Sequence, residues 1–316
     1  MLGTPLHIWI VFAIVVTSTL AIDLGVFHRR TQEITFKHAL MESAGWIVVS
    51  LLFNIWVYSS RGVQAGTEFL AGYLVEKSLS LDNLFLFLVI FQAFEVTKRL
   101  QHKILFYGVL GAIWMRALFV FAGVKLLEEF HVILYMFGAL LLFTGLKMVW
   151  PQRESPHPER NWPVRIARRL LPVAEEYKGS SFFVTRGGKQ FATTLFLALI
   201  AVEATDILFA IDSVPAVLAI TRDTFVVYSS NIFAILGLRA LYFALANLLP
   251  RFRFLRQGLG AILAFVGGKM LLSERLPVPT YISLITVAGI LALTIIASLL
   301  VTRKNTKTSP GGMPIP

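Results

Sequence analysis

The chain has 316 residues, of which 56% are hydrophobic and only 15% charged. Soluble domains carry about 25% charged residues, so this composition, with a mean hydropathy of +0.73, excludes an ordinary soluble fold. The sequence contains no cysteine, which excludes disulfides and thiolate metal sites. A net charge of +11 would suit a nucleic-acid binder, but in a membrane protein surplus Lys and Arg mark cytoplasmic loops.

Apolar runs long enough to cross a hydrocarbon core of about 30 Å occur at residues 8–27, 44–60, 69–92, 104–124, 131–150, 191–218, 224–247, 257–273 and 280–301. The expected fold is therefore an all-α polytopic membrane protein of nine transmembrane helices. The first run lacks a basic leader and a small-residue cleavage site, and "HRR" follows it, so it reads as a retained anchor. The connections after runs one, three, five and seven, with the C-terminal tail, hold 20 of the 29 Lys and Arg residues. Those after runs two, four, six and eight hold only Arg61, Lys125, Arg222 and Arg275. This alternation predicts an external N-terminus and a cytoplasmic C-terminus. Membrane lipids are then the expected partners, and the basic excess requires no nucleic acid.

In the third run, "EKSLSLDN" (76–83) places Glu76, Lys77, Asp82 and Asn83 among apolar residues. Ionisable groups at that depth are costly and mark function. Glu76 and Asn83 share a helical face, while Asp82 lies about 120° around the helix. The sixth run carries Glu203, Asp206, Asp212 and Ser213. Glu203 and Asp206 are neighbours on one face. Asp212 falls opposite Glu203, so the two share a cavity only if the helix bends. Pro215 removes the hydrogen bond to the Ile211 carbonyl and predicts a kink or break there.

The two halves resemble each other. "FGALLLFTGLKM" (137–148) and "LGAILAFVGGKM" (259–270) agree at seven of twelve positions. Upstream, "MRALF" (115–119) aligns with "LRALY" (238–242), and "EKSLSLDN" with "DILFAIDS" (206–213). The unit is three helices, so the second copy enters the membrane from the opposite side. This inverted repeat is a transporter arrangement with its site near the midplane. The resulting divisions are N-terminal helices 1–68, repeat 69–150, cytoplasmic loop 151–189, repeat 190–275, last helix 276–302 and disordered tail 303–316. Within the loop, "VRIARRLLPV" predicts a short amphipathic helix lying on anionic lipid.

Five deep acids (Glu76, Asp82, Glu203, Asp206, Asp212) outnumber three deep bases (Lys77, Arg116, Arg239). The bases read as counter-charges that keep the acids ionised, and Lys147 and Lys269 as snorkelling to the interface. The negative surplus suits a divalent cation or exchangeable protons. Asp23, near the end of the first run, is a further candidate. Without Cys or a mid-membrane His the site would be oxygen-only, which suits Mn2+, Ca2+ or Mg2+ and leaves the choice among them open.

The pair "EKSLSLDNLF" and "VEATDILFAIDSVPAVLAIT", followed by "SSNIFAILGLRALYF", resembles the signature of the TerC family, specifically its Alx-type branch, which shares the early "AIDLGVF". The resemblance covers residues 10–300. It implies a protein of the bacterial inner membrane that exports Mn2+ as a substrate, with Ca2+ as an alternative and no resident cofactor. By motif match, Glu76, Asp82, Glu203, Asp206 and Asp212, with Asn83 and Ser213, would line the metal path, and Asp23 is a weaker match. The expected activity is transport and not enzymatic catalysis. Alternatives are an exporter of a small organic cation or amino acid, and a membrane scaffold or stress-response assembly factor of the kind linked to tellurite resistance. The oligomeric state stays open.

Overall fold

The computed structural model describes residues 4–27, 36–130, 132–149, 162–170, 172–174, 181–186, 188–246, 254–273 and 278–307. In chain order the elements are α1 (Leu6–Phe27), α2 (Phe36–Ala93), α3 (Lys98–Glu129), α4 (Val132–Val149), α5 (Trp162–Leu170), β1 (Val173–Ala174), β2 (Phe183–Arg186) and β3 (Lys189–Thr193). There follow α6 (Thr194–Leu218), α7 (Thr224–Leu236), α8 (Leu238–Leu245), α9 (Leu255–Leu271) and α10 (Thr280–Lys307). The protein is an all-α multi-pass membrane protein, and among the described residues each span anticipated from the sequence falls on a helix to within three residues at its ends. Large apolar side chains such as Trp114, Phe143, Ile285 and Leu293 point outward, as expected of a surface solvated by lipid.

The 58 residues of α2 would measure about 87 Å as a straight rod. They do not form one. Gly62 interrupts the helix with φ +87° and ψ 175°, a conformation open essentially to glycine alone. The rings of Phe53 and Phe69 lie 5.7 Å apart, although sixteen helical residues would separate them by about 24 Å. Thus α2 folds back on itself, and its arms, 36–61 and 63–93, correspond to the second and third predicted spans. Near the fold, Gly66 lies so close to the first arm that an added Cβ would sit 3.0 Å from the Tyr58 Cα.

The second arm of α2 packs with α3, α6 and α7 around the centre, and α7–α8 is the most enclosed span. Asp223 starts α7 by accepting from the backbone N–H groups of Phe225 and Val226, a cap that satisfies two otherwise orphaned donors. A turn at Gly237 divides α7 from α8. Helices α4 and α9 cross at glycines. An added Cβ on Gly145 would lie 2.6 Å from the Gly260 carbonyl oxygen, and one on Gly267 would lie 2.7 Å from that of Gly138. Small residues are what allow backbones to approach this closely without a hydrophobic driving force. These contacts are reciprocal: aligning 138 with 260 and 145 with 267, as in the sequence repeat, exchanges one glycine pair for the other.

Two expectations change. Helix α6 runs unbroken from Thr194 to Leu218 with Pro215 inside it. The missing hydrogen bond falls in the last turns, where the helix is about to end anyway. Helix α5 forms as predicted, but Val164 and Ala167 on its apolar side are buried in a cluster with Leu195 and Ala198 of α6. That side covers protein instead of entering lipid, and Arg165, Arg168 and Arg169 stay exposed.

A small sheet of order β1-β3-β2 follows α5, with β1 parallel and β2 antiparallel to β3. The sequence predicts only loop over this stretch. Residues 151–161 and 308–316 lie outside the described residues, while α10 carries helix to Lys307 through part of the anticipated tail.

Candidate functional site in the bundle interior

Arg116 of α3 is the centre of a buried polar cluster, with its side chain 2% exposed. Its Nη1 donates to Ser213 Oγ at 2.7 Å and to Asn231 Oδ1 at 2.5 Å. Its Nη2 lies 2.5 Å from Glu76 Oε1 in an ion pair. The planar guanidinium supplies donors in a fixed fork, and here it ties α2, α6 and α7 to α3. Asn231 is oriented for this role because its Nδ2 donates to the Val227 carbonyl one turn earlier. Asp206 is buried on the same face of α6 as Ser213, and the charges of Arg116 and Glu76 both act on it. A void of about 10 Å³ beside Arg116, Asp206 and Arg239 has room for roughly one water.

One side of this cluster is unsatisfied. Among the described residues, neither carboxylate oxygen of Glu76 receives an aligned hydrogen bond, and Ser80 Oγ and Asn83 Oδ1 have no hydrogen-bond partner. All three side chains are buried. Positions 76, 80 and 83 form one stripe along the second arm of α2, extending over about 10 Å. A buried acceptor without a donor costs about 1–3 kcal/mol, and more when charged. An oxygen-coordinated cation is the kind of group that satisfies such atoms.

The remaining predicted residues are dispersed. Glu203 sets its carboxylate against Gly111 of α3, where no side chain intervenes. Asp212 faces α4 and accepts from Thr144 Oγ1 at 3.3 Å. The unbroken α6 therefore keeps Glu203 and Asp212 on different sides, and the shared cavity expected from a bend does not form. Lys77 donates to the Ala234 carbonyl in the last turn of α7 at 3.1 Å. Arg239, expected as a counter-charge for the deep acids, pairs at 3.3 Å with Glu42 on the first arm of α2 and lines the small void beside Asp206. Among the described residues, no three Asp, Glu or His side chains converge as a metal-binding group. Asp82 and Asp23 are helical in the backbone, but their side chains lie outside the described residues.

A larger cavity opens at the end of the bundle that carries the Gly62 fold and the α6–α7 turn. Its volume is about 580 Å³, and Glu68, Gln64, Thr221, Lys269 and Ser273 line it above a floor containing Leu134 and Leu218. Arg61 and Asp223 form an ion pair at its rim, with 2.8 Å between Nη2 and Oδ2. Lys269 does not simply snorkel: its Nζ donates to Ser283 Oγ of α10 at 2.9 Å.

Residues 61–306 match the integral membrane protein TerC family. This chain belongs to the TerC family. An uncharacterized membrane protein of Myxococcus xanthus is 44% identical over 301 residues, covering 95% of this chain and 94% of the relative. A protein of Escherichia coli K12, named as a proposed membrane-bound redox modulator, Alx, is 44% identical over 318 residues, covering 98% and 99% respectively. A membrane protein of Rickettsia bellii is 39% identical over 297 residues, covering 94% and 98%. No solved structure matches. The resemblance to the Alx-type branch agrees with these relatives. The TerC match begins at Arg61, so it takes in the second arm of α2 and all of the Arg116 cluster, and leaves out α1 and the first arm.

Proposed function

We propose that this TerC protein is a secondary transporter that exports a divalent metal cation from the cytoplasm, with Mn2+ first among the candidates. The observation that carries this reading is the stripe of buried oxygens at Glu76, Ser80 and Asn83: beyond the ion pair of Glu76 with Arg116, none of them accepts a hydrogen bond among the described residues. An all-oxygen set suits Mn2+, Ca2+ or Mg2+. The choice of Mn2+ among them rests on the family resemblance. Glu76 and Asp206 also set two carboxylates against the single guanidinium of Arg116. A dication, or protons exchanged for it, would balance the remaining negative charge. The reciprocal glycine contacts of α4 and α9 are in keeping with two inverted three-helix units around a midplane site. The basic connections set the orientation of this reading, with the N-terminus outside a bacterial inner membrane.

The redox modulator named among the relatives fits the same activity indirectly. This chain has no cysteine for thiol–disulfide exchange. Its redox influence would come through the supply of a redox-active metal.

The test is retention of Mn2+ by loaded cells that express wild-type or Glu76→Gln protein. The wild type should lower cellular Mn2+, and Glu76→Gln, compared at matched amounts of folded protein in the membrane, should not. Export by Glu76→Gln at the wild-type rate would sink the site. Reconstituted flux with Mn2+, Ca2+ and Mg2+ in parallel, with and without a pH gradient, tests selectivity and proton exchange.

A further inference from the structure

Glu68 is a second buried carboxylate on the second arm of α2, only 8% exposed and facing the 580 Å³ cavity. Its Oε1 accepts from Gln64 Nε2 at 2.9 Å. Neither nearby base closes on it. Lys269, whose charge acts on Glu68, has its ammonium on Ser283, and Arg61 is engaged by Asp223. Among the described residues Glu68 thus makes no ion pair, although it is buried at the wall of an open cavity. Around it are further oxygen donors: the Gln64 amide and the hydroxyls of Thr221 and Ser273.

The cavity is large enough for a hydrated ion. Six waters occupy roughly 180 Å³ at liquid density, well inside the available volume. Mn2+ and Mg2+ give up water reluctantly and are held by one or two carboxylates with several waters retained. A single buried carboxylate with neutral oxygens in a wet cavity matches that habit.

Glu68 and Glu76 are eight residues apart on one helix, a rise of about 12 Å. Val75 of α2 and Val217 and Leu218 of α6 fall between these two levels along their helices and belong to one buried apolar cluster, with Leu218 lining the cavity. By the distribution of basic residues, the end of the bundle holding the cavity is the external one.

We propose that this vestibule is an outer holding site for a hydrated divalent cation, built on Glu68, open to the outside and closed from the Glu76–Arg116 cluster by the Val75–Val217–Leu218 layer. The proposal rests on the transport reading and gives it a second station.

Because the chain has no native cysteine, any introduced one is its sole thiol. Ser273→Cys, in the vestibule, should react in intact cells with a membrane-impermeant methanethiosulfonate, and Val217→Cys, in the closed layer, should not. External Mn2+ at about ten times its dissociation constant should slow Ser273→Cys labelling about tenfold by mass action. Glu68→Gln should abolish this protection, Gln64→Ala should weaken it, and Glu76→Gln should leave it intact. Labelling of Ser273→Cys only in inverted vesicles, or protection that survives Glu68→Gln, overturns the proposal. If protection depends on Glu68 while Glu76→Gln still exports Mn2+, the interior site fails and the outer site stands.

Discussion

Arg116 and Glu76 face each other across 2.5 Å with side chains only 2% and 1% exposed. At that depth the ion pair is less a source of net stability than an obligation. Each charge would be strongly unfavourable alone, and breaking such a pair costs about 3–5 kcal/mol. Arg116→Met should therefore lower the thermal stability of the detergent-purified protein severely. Arg116→Lys should fall between it and the wild type, because one ammonium cannot reproduce the fork that reaches Glu76, Ser213 and Asn231. Removing both charges, in Arg116→Met with Glu76→Gln, should recover part of the loss. A single Arg116→Met variant that melts like the wild type would show that the pair does not hold the centre.

The α4–α9 crossing makes an equally sharp contrast. An added Cβ on Gly145 would lie 2.5 Å from the Ala264 backbone nitrogen, while one on Gly268 meets nothing within 4 Å. Gly145→Ala should push the helices apart at a cost of about 1–3 kcal/mol. Gly268→Ala should be neutral or raise stability by up to about 1 kcal/mol through helix propensity. Melting temperatures of the two variants side by side decide the matter, and equal effects would contradict the close crossing.

At the fold in α2 the demand is on the backbone. Gly62→Ala places a Cβ at φ +87° and ψ 175°, at an expected cost of about 1–3 kcal/mol. The neighbouring Val63, exposed on the surface, should accept Ala with little change. Chemical denaturation of both variants tests this, and an unaffected Gly62→Ala protein would mean that the arms join in another way.

The spans were legible because a bilayer imposes a length and a composition that the chain must meet locally. Partnerships were less so. The repeat equates Arg239 with Arg116, yet it does not announce that Arg239 also meets Glu42, which lies on an arm outside the repeated units. Position in a helix sets which way a side chain points and leaves open which helix stands opposite. Glu203 and Asp212 show the limit of reading a bend from one proline: Pro215 comes too late in α6 to turn the helix between them. Ser80 and Asn231 carry little signal in the sequence because neutral polar residues are common in buried helices. The available clue was spacing, since Ser80 lies one turn beyond Glu76. The sheet escaped because its strands span only two, four and five residues, too short for a pattern of alternation.

The junction between that sheet and the bundle has a mechanical consequence. Strand β3 ends at Thr193 and α6 begins at Thr194, with no residue between them. Thr193 is also fastened sideways, since its Oγ1 donates to the Ser181 and Phe182 carbonyls. A strand that becomes a helix without a linker has no hinge. Any tilt or rotation of the helix that carries Glu203, Asp206 and Asp212 is thus delivered as torque to the sheet, which works as a rigid crank handle on its end.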